Sequence, residues 1–327
     1  MTEGEDALES LYRDVLGSDK KQLEEDAIDI ARAGQGIDTG YVMHSRAANG
    51  DMSEFNLRIP KYAITMITAR TGSGKTTWMT NLANRMAMDG ASGLFITLEE
   101  PRYSIRGKML ASFTKEKNKK YSMNALTPWQ AMKANSGKQE CPVLEEFNKK
   151  IMRKVRVVDA NRSVPKHSET PGIFYQPQYI GDLIKYRNSK SQAPLDFVII
   201  DFGQLMETLD SDNSNSYQRM KGVMQACKNL SGSLGIAVVI GAQLQRQCAA
   251  INIWDFEPEH IRDGSDMEQA ASLILATGMD KNLSEEDVNM VLRILKNRNG
   301  PKRVGGFFDI DFEHNHIPLK SSEPKYD

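Results

Sequence analysis

The stretch Ala69-Arg70-Thr71-Gly72-Ser73-Gly74-Lys75-Thr76-Thr77 constrains this chain more than any other. An apolar, β-branched run precedes it, Ala63-Ile64-Thr65-Met66-Ile67-Thr68, and a helical pattern from Trp78 to Met86 follows. Strand, glycine loop and helix in that order make a P-loop. Gly72 and Gly74 let the backbone turn its N–H groups toward one point, and the helix adds the positive end of its dipole. In such a loop Lys75 reaches the β- and γ-phosphates and Thr76 offers a hydroxyl to Mg²⁺. Ala69 stands where the usual pattern has its first glycine. These nine residues are the expected nucleotide-binding loop.

The other sequence-wide features narrow the setting. A chain of 327 residues, 40% hydrophobic, can build one large or two ordinary domains around a substantial core. The formal net charge is −1, so any nucleic-acid contact must come from a local lining rather than a global field. Cys141, Cys227 and Cys248 are far apart, which argues against a disulfide framework and a zinc site and fits a reducing compartment. No apolar run approaches the ~20 residues of a membrane span. The acidic start, Glu3-Gly4-Glu5-Asp6, resembles neither a signal nor a transit peptide. A soluble, cytoplasmic protein with no membrane contact is expected.

Apolar residues Leu8, Leu11, Tyr12, Val15 and Leu16 fall at helical spacing over residues 6–16, and a second helix is expected over 20–33. The segment 1–35 is too short to form a core alone, so its apolar stripe must dock either on its own subunit or on a neighbour. Residues 42–60 read as a loop or β-hairpin leading into the domain. Strands follow at 92–98, 154–159, 195–201, 236–242, 273–277, 288–295 and 304–312, with helices at 103–113, 179–189 and 217–230. The lysine-rich region 114–150 reads as a partly helical, solvated face, and residues 244–266 as one long loop. Two buried strands end in carboxylates. Glu99 closes the first, and Asp201 closes Phe197-Val198-Ile199-Ile200, the arrangement in which an aspartate holds Mg²⁺. No repeat or second composition block appears, so 36–318 is expected to be one α/β domain, with a tail at 319–327.

Several motifs, in order, resemble the motor domain of the DnaB-type replicative helicases, RecA-like hexameric ATPases. They are Gly36-Ile37-Asp38-Thr39-Gly40-Tyr41, the P-loop with alanine first, Thr97-Leu98-Glu99, Asp201-Phe202-Gly203-Gln204-Leu205-Met206, Gln243-Leu244-Gln245-Arg246, Arg262-Asp263-Gly264-Ser265-Asp266-Met267-Glu268-Gln269, and Lys296-Asn297-Arg298-Asn299-Gly300. The resemblance implies a RecA-like P-loop NTPase core, a mostly parallel twisted sheet flanked by helices and preceded by a short helical segment. It implies ATP, or another NTP, with Mg²⁺ held by Thr76 and Asp201. Glu99 becomes the general base, Gln243 the γ-phosphate sensor, and Arg298 with Lys296 an arginine finger reaching a neighbour's nucleotide. The alternative reading of Lys296 and Arg298 is a solvated hairpin tip.

By the same resemblance, single-stranded DNA is gripped at its backbone by loops lining a central channel of a homo-hexamer moving 5′ to 3′. The candidates are Arg219 and Lys221 in the first loop, and Arg246, Arg262, Asp263, Gly264 and Ser265 in the second. Gly264 and Ser265 are exchanged relative to the family's order. Trp254 and Phe256 either stack on bases or pin their loop to the core. The family's N-terminal collar has no counterpart in the sequence, so a primase, initiator or loader is expected in trans. Two other readings stand beside the helicase: a nucleotide-switched DNA-binding or assembly factor, and a RecA-type recombinase.

Overall fold

The computed structural model describes residues 36–46, 52–160, 176–190, 193–207, 216–245, 248, 251–262, 264–280, 289–301 and 304–321. The expected helices at 6–16 and 20–33 lie outside these residues.

In chain order the strands are β1 (Ile37–Arg46), β2 (Met52–Ile59), β3 (Ala63–Ala69), β4 (Gly93–Thr97), β5 (Val155–Asp159), β6 (Phe197–Asp201), β7 (Ala237–Gln243), β8 (Leu273–Met279), β9 (Asn289–Asn297) and β10 (Val304–Asp309). The helices are α1 (Lys75–Met88), α2 (Arg102–Tyr121), α3 (Pro128–Asn135), α4 (Leu144–Phe147), α5 (Pro177–Ser189), α6 (Ser216–Leu234) and α7 (Gly264–Ala270). All ten strands form one sheet in the order β2-β1-β10-β9-β8-β3-β7-β6-β4-β5. From β8 to β5 every pairing is parallel; from β8 to β2 every pairing is antiparallel. The lead-in at 42–60 is therefore a hairpin that extends the antiparallel wing.

Composition explains the division. β4 and β6 are buried at every position and β3 at all but its first, as strands covered on both faces must be. The outer strand β5 instead alternates buried Val155, exposed Arg156 and buried Val157. Alternate residues of the parallel strands feed two cores. On one face Trp78, Leu82 and Met86 of α1 and Met109 and Phe113 of α2 meet Phe95, Val157 and Phe197. On the other, Ile180 and Ile184 of α5 and Met220, Val223 and Cys227 of α6 cover Leu94, Val198 and Ile200. Trp78 also stacks edge-on with Tyr41 and Phe308, at centroid distances of 5.2 and 5.0 Å. That cluster ties the P-loop helix to the antiparallel wing.

Three expectations shift. α2 runs on to Tyr121, because Thr114–Lys120 continue the helix behind its apolar face. The expected loop at 244–266 is partly folded: Leu244 bridges Ile261, Gln245 N donates to His260 O at 3.0 Å, two 3₁₀ turns fill the span, and α7 starts at Gly264. β10 ends at Asp309, and a turn follows in which Asp311 pairs with His316. Val42 N donates to Leu319 O and Ser321 N to Val42 O, so the chain beyond 318 still packs on β1.

Candidate nucleotide site and flanking loops

The P-loop follows directly from β3. Ala69 is the strand's last residue, paired with Gln243 on one side and Thr277 on the other, and is not among the positive-φ residues. An extended residue has no need of glycine, which accounts for alanine here. The turn closes with Ser73 N donating to Arg70 O at 3.1 Å. Gly72 and Gly74 have φ of 77° and 75°, the left-handed region that side chains resist. A Cβ on Gly74 would sit 2.7 Å from Met290 Cε, whereas one on Gly72 meets nothing within 4 Å. α1 then begins with no side-chain cap and no acidic residue in its first turn, leaving its N–H groups to a ligand. The loop opens on a cleft of about 280 Å³, lined also by Glu99, Glu100, Lys108, Gln243 and Phe312.

Below the loop lies Asp201, 2% exposed. Thr76 Oγ1 donates to its Oδ2 at 2.7 Å, and Lys75 Nζ lies 3.4 Å from Oδ1. Lys75 Nζ also stands 4.0 Å from the centre of the Phe202 ring. Asp201 Oδ1 is buried with no hydrogen-bond partner among the described residues. A hydroxyl and a carboxylate with an unsatisfied oxygen are a hard-oxygen donor set of the kind Mg²⁺ takes, so the residues present fit that ion. No group of three or more His, Cys, Asp or Glu gathers here or elsewhere among the described residues. An ion here would depend on nucleotide phosphates and water for its remaining ligands.

Gly241 of β7 makes this arrangement possible. A Cβ there would lie 3.2 Å from Asp201 Oδ1, 3.2 Å from Lys75 Cδ and 3.0 Å from Met79 Sδ. The sequence signal is a glycine that follows Val238, Val239 and Ile240 inside a buried strand, a mark of close approach.

Glu99 and Glu100 are neighbours in sequence but not in role. Glu100 accepts from Ser104 Oγ at 2.6 Å and pairs with Lys108. Glu99 is exposed to the cleft, and its carboxylate makes no hydrogen bond among the described residues. Gln243 ends β7 level with Ala69, and its carbonyl accepts from Arg262 N at 3.0 Å. This backbone bond ties the cleft end of β7 to Arg262, beside the Leu244–Ile261 bridge in the second candidate DNA loop.

Lys296 and Arg298 sit at the other end of the sheet. Asn297 pairs with Leu273, and Arg298 N donates to Ser272 O at 2.9 Å. The P-loop leaves level with Thr277. From Ser272 to Thr277 the rise is ~16 Å at ~3.3 Å per residue. Lys296 Nζ donates to Glu268 O at 2.6 Å and Arg298 Nη2 to Gln269 O, both at the C-terminus of α7. The two cations are therefore not brought to their own nucleotide cleft.

Among the candidate DNA contacts, Arg219 Nη2 donates to Gln204 O at 3.4 Å, while Lys221 and Arg262 are exposed. Gly264 and Ser265 open α7. Arg246 and Asp263 lie outside the described residues, as does 208–215. Trp254 and Phe256 pin their loop. Trp254 Nε1 donates to Asp280 Oδ2 at 2.7 Å and its ring meets Phe307, and Phe256 is 2% exposed in the core.

Sheet order, crossover position and cleft together define a RecA-like P-loop domain. Residues 51–317 match the family described as the DnaB-like helicase C terminal domain, and the chain belongs to that family. It is 23% identical over 273 residues to the replicative DNA helicase DnaB of Geobacillus stearothermophilus, covering 81% of this chain and 53% of that protein. A probable replicative DNA helicase of Trieres chinensis is 24% identical over 278 residues, covering 81% and 54%. The chain thus spans about half the length of these curated relatives. A solved structure of a DnaB-like replicative helicase, described with its interactions with primase, superposes with a TM-score of 0.64 at 17% identity, covering 94% of this chain and 67% of that one. The ATPase domain of the protein G40P gives 0.64 at 18% identity, covering 98% of both.

Proposed function

We propose that the chain is the ATP-hydrolysing motor of a hexameric DNA helicase that moves 5′ to 3′ along single-stranded DNA in replication. The supporting observation is the division of the machinery. The P-loop, Thr76, Asp201, Glu99 and Gln243 gather at one end of the sheet, and Arg298 and Lys296 lie ~16 Å away at the other. A head-to-tail ring brings these two ends together between neighbours.

In this reading the N–H groups from Gly72 to Thr77 and Lys75 hold the β- and γ-phosphates. Thr76 and Asp201 hold Mg²⁺, which when bound neutralises charge building on those phosphates. Glu99 takes the proton of the attacking water. Gln243 contacts the γ-phosphate and passes its state to Arg262 through their shared backbone bond. Arg298 of one subunit steadies the charge at the next subunit's phosphate, an effect of ~10³–10⁵ in rate where such fingers are known. Arg219, Lys221 and Arg262 hold the DNA backbone. A primase, initiator or loader acts in trans, and the apolar stripe of residues 6–16 docks on a neighbour. No described helix is long and apolar enough to cross a membrane, which is compatible with action on DNA in the cytoplasm.

The test is strand displacement on a forked duplex, combined with subunit mixing. Arg298→Ala and Lys75→Ala proteins are each expected to be inactive, and their mixture to recover part of the ATPase. Mixtures that stay inactive would remove the trans finger. ATP turnover without strand displacement would favour the switch or recombinase reading.

A further inference from the structure

Three elements distant in sequence each lend a residue to the lining of the nucleotide cleft: Thr77 from α1, Lys108 from α2 and Phe312 from the turn after β10. Two buried asparagines lie behind them. Asn81, in α1, is 1% exposed, and Asn315, in the turn, is 4% exposed.

Asn81 Nδ2 donates to Thr77 O at 2.9 Å and to Asn315 O at 2.8 Å. Its Oδ1 accepts from Ser112 Oγ of α2 at 2.6 Å and from Ile317 N at 3.4 Å. The four hydrogen-bonding positions of this amide are thus filled, by partners from α1, α2 and the C-terminal turn. Asn315 extends the bridge. Its backbone is left-handed, with φ of 52°, a conformation that asparagine tolerates better than most residues. Its N–H donates to Phe312 O at 3.3 Å, and its Nδ2 donates to Lys108 O at 3.3 Å and to Thr80 Oγ1 at 3.0 Å.

The bridge therefore ends on backbone carbonyls of Thr77, Lys108 and Phe312, all three of which line the cleft. Burying two primary amides is costly unless their polar atoms are paired, and a fully paired network holds one arrangement rigidly. None of these hydrogen bonds ends on Glu99, Asp201 or Gln243. The bridge thus holds part of the lining and leaves the reacting groups alone.

We propose that Asn81 and Asn315 are positioning residues that set the affinity of the cleft for its nucleotide, by fixing Thr77, Lys108 and Phe312 relative to one another. The proposal rests on the reading of the cleft as the nucleotide site of a motor. A lining that encloses ground state and transition state alike gives uniform binding, so loosening it raises KM and spares kcat.

The test compares Asn81→Ala and Asn315→Gly with Asn84→Ala in the full chain. It uses ATPase kinetics, titration with a fluorescent ADP analogue, and thermal melts. Glycine suits the left-handed backbone at 315, so that variant loses the side chain alone. Asn84 lies about one turn further along α1, is also buried and donates to Met109 O at 2.9 Å, but does not line the cleft. All three variants should melt earlier than the parent. Asn81→Ala and Asn315→Gly should each raise the KM for ATP and the Kd for the ADP analogue roughly tenfold, the worth of one or two hydrogen bonds, at a parental kcat. Asn84→Ala should leave KM, Kd and kcat at parental values. The double variant should be no worse than the poorer single, because both substitutions break one bridge. Parental KM in folded variants, an equal rise in Asn84→Ala, additive effects in the double variant, or a fall in kcat at unchanged KM would each overturn this inference alone. A parent protein that binds no nucleotide would overturn it together with the motor reading.

Discussion

Glu99 and Glu100 provide a controlled comparison, because both line one cleft and only one is free. Replacing either with glutamine changes a charge while keeping shape. At Glu99 nothing structural depends on the charge, since its carboxylate makes no hydrogen bond among the described residues. The thermal midpoint and ATP affinity should stay at parental values. If Glu99 is the base, turnover should fall by ~10²–10⁴, the usual worth of a positioned proton acceptor. At Glu100 the outcome reverses. Its partners are Ser104 and Lys108, and the Glu100 and Lys108 side chains are 28% and 23% exposed, so the pair is partly screened. Losing it should cost about 1 kcal/mol, a midpoint drop of ~2–4 °C for a domain approaching this size. Turnover should change by less than about tenfold, through a looser cleft wall rather than lost chemistry. Phosphate release under single-turnover conditions, beside thermal melts, separates the two. A larger rate loss from Glu100→Gln than from Glu99→Gln would refute the assignment, whatever the melts show.

Two further outcomes follow from buried groups. Gly241→Ala should push on Asp201 and Lys75 and raise the Mg²⁺ concentration needed for ATP hydrolysis, with overpacking costing ~1–3 kcal/mol. Gly232→Ala in α6, where an added Cβ meets nothing within 4 Å, is the matched control and should be neutral or slightly stabilising; equal Mg²⁺ titrations for both variants would dismiss the close-approach argument. His316 is held at about 4, chiefly by burial and then by the Arg85 guanidinium, against 6.5 for a free histidine. Between those values the unfolded chain binds the extra proton, so this contribution is complete above about pH 6.5 and is lost as the pH falls toward 4. Going from pH 7 to pH 5 should remove about 2 kcal/mol, and a His316→Asn protein whose melts keep the parental pH dependence would show that another group titrates.

The order of motifs was legible because parallel strands carry their own signature. β4, β6 and β7 are short, nearly uninterrupted apolar runs; β6 and β7 end on the candidate residues Asp201 and Gln243, and β4 ends at Thr97, two residues before Glu99. A strand buried on both faces has no freedom to vary that pattern. Contacts between elements distant in sequence were harder to read. Glu100 differs from Glu99 only because α2 returns Ser104 and Lys108 to it, a helical stripe that is visible in the sequence but ambiguous there. The long loop looked unstructured because its order comes from partners elsewhere: Asp280 takes the indole of Trp254, and Arg293 Nη1 donates to the carbonyls of Trp254 and Phe256.

Arg298 shows most clearly where a motif stops and geometry begins. Its spacing from Lys296 identifies a cationic hairpin but not which nucleotide that hairpin serves. The antiparallel pairing of β9 with β8 decides the matter, because it runs the chain back down the sheet, away from the P-loop end. A single side chain reaches ~7 Å at most when extended, short of the ~16 Å rise along β8. The same cation in a parallel crossover would have ended beside its own P-loop and acted in cis. The antiparallel wing therefore keeps Arg298 from its own cleft, so the proposed finger role predicts hydrolysis that needs two subunits; hydrolysis that depended on Arg298 within a dilute monomer would overturn that role.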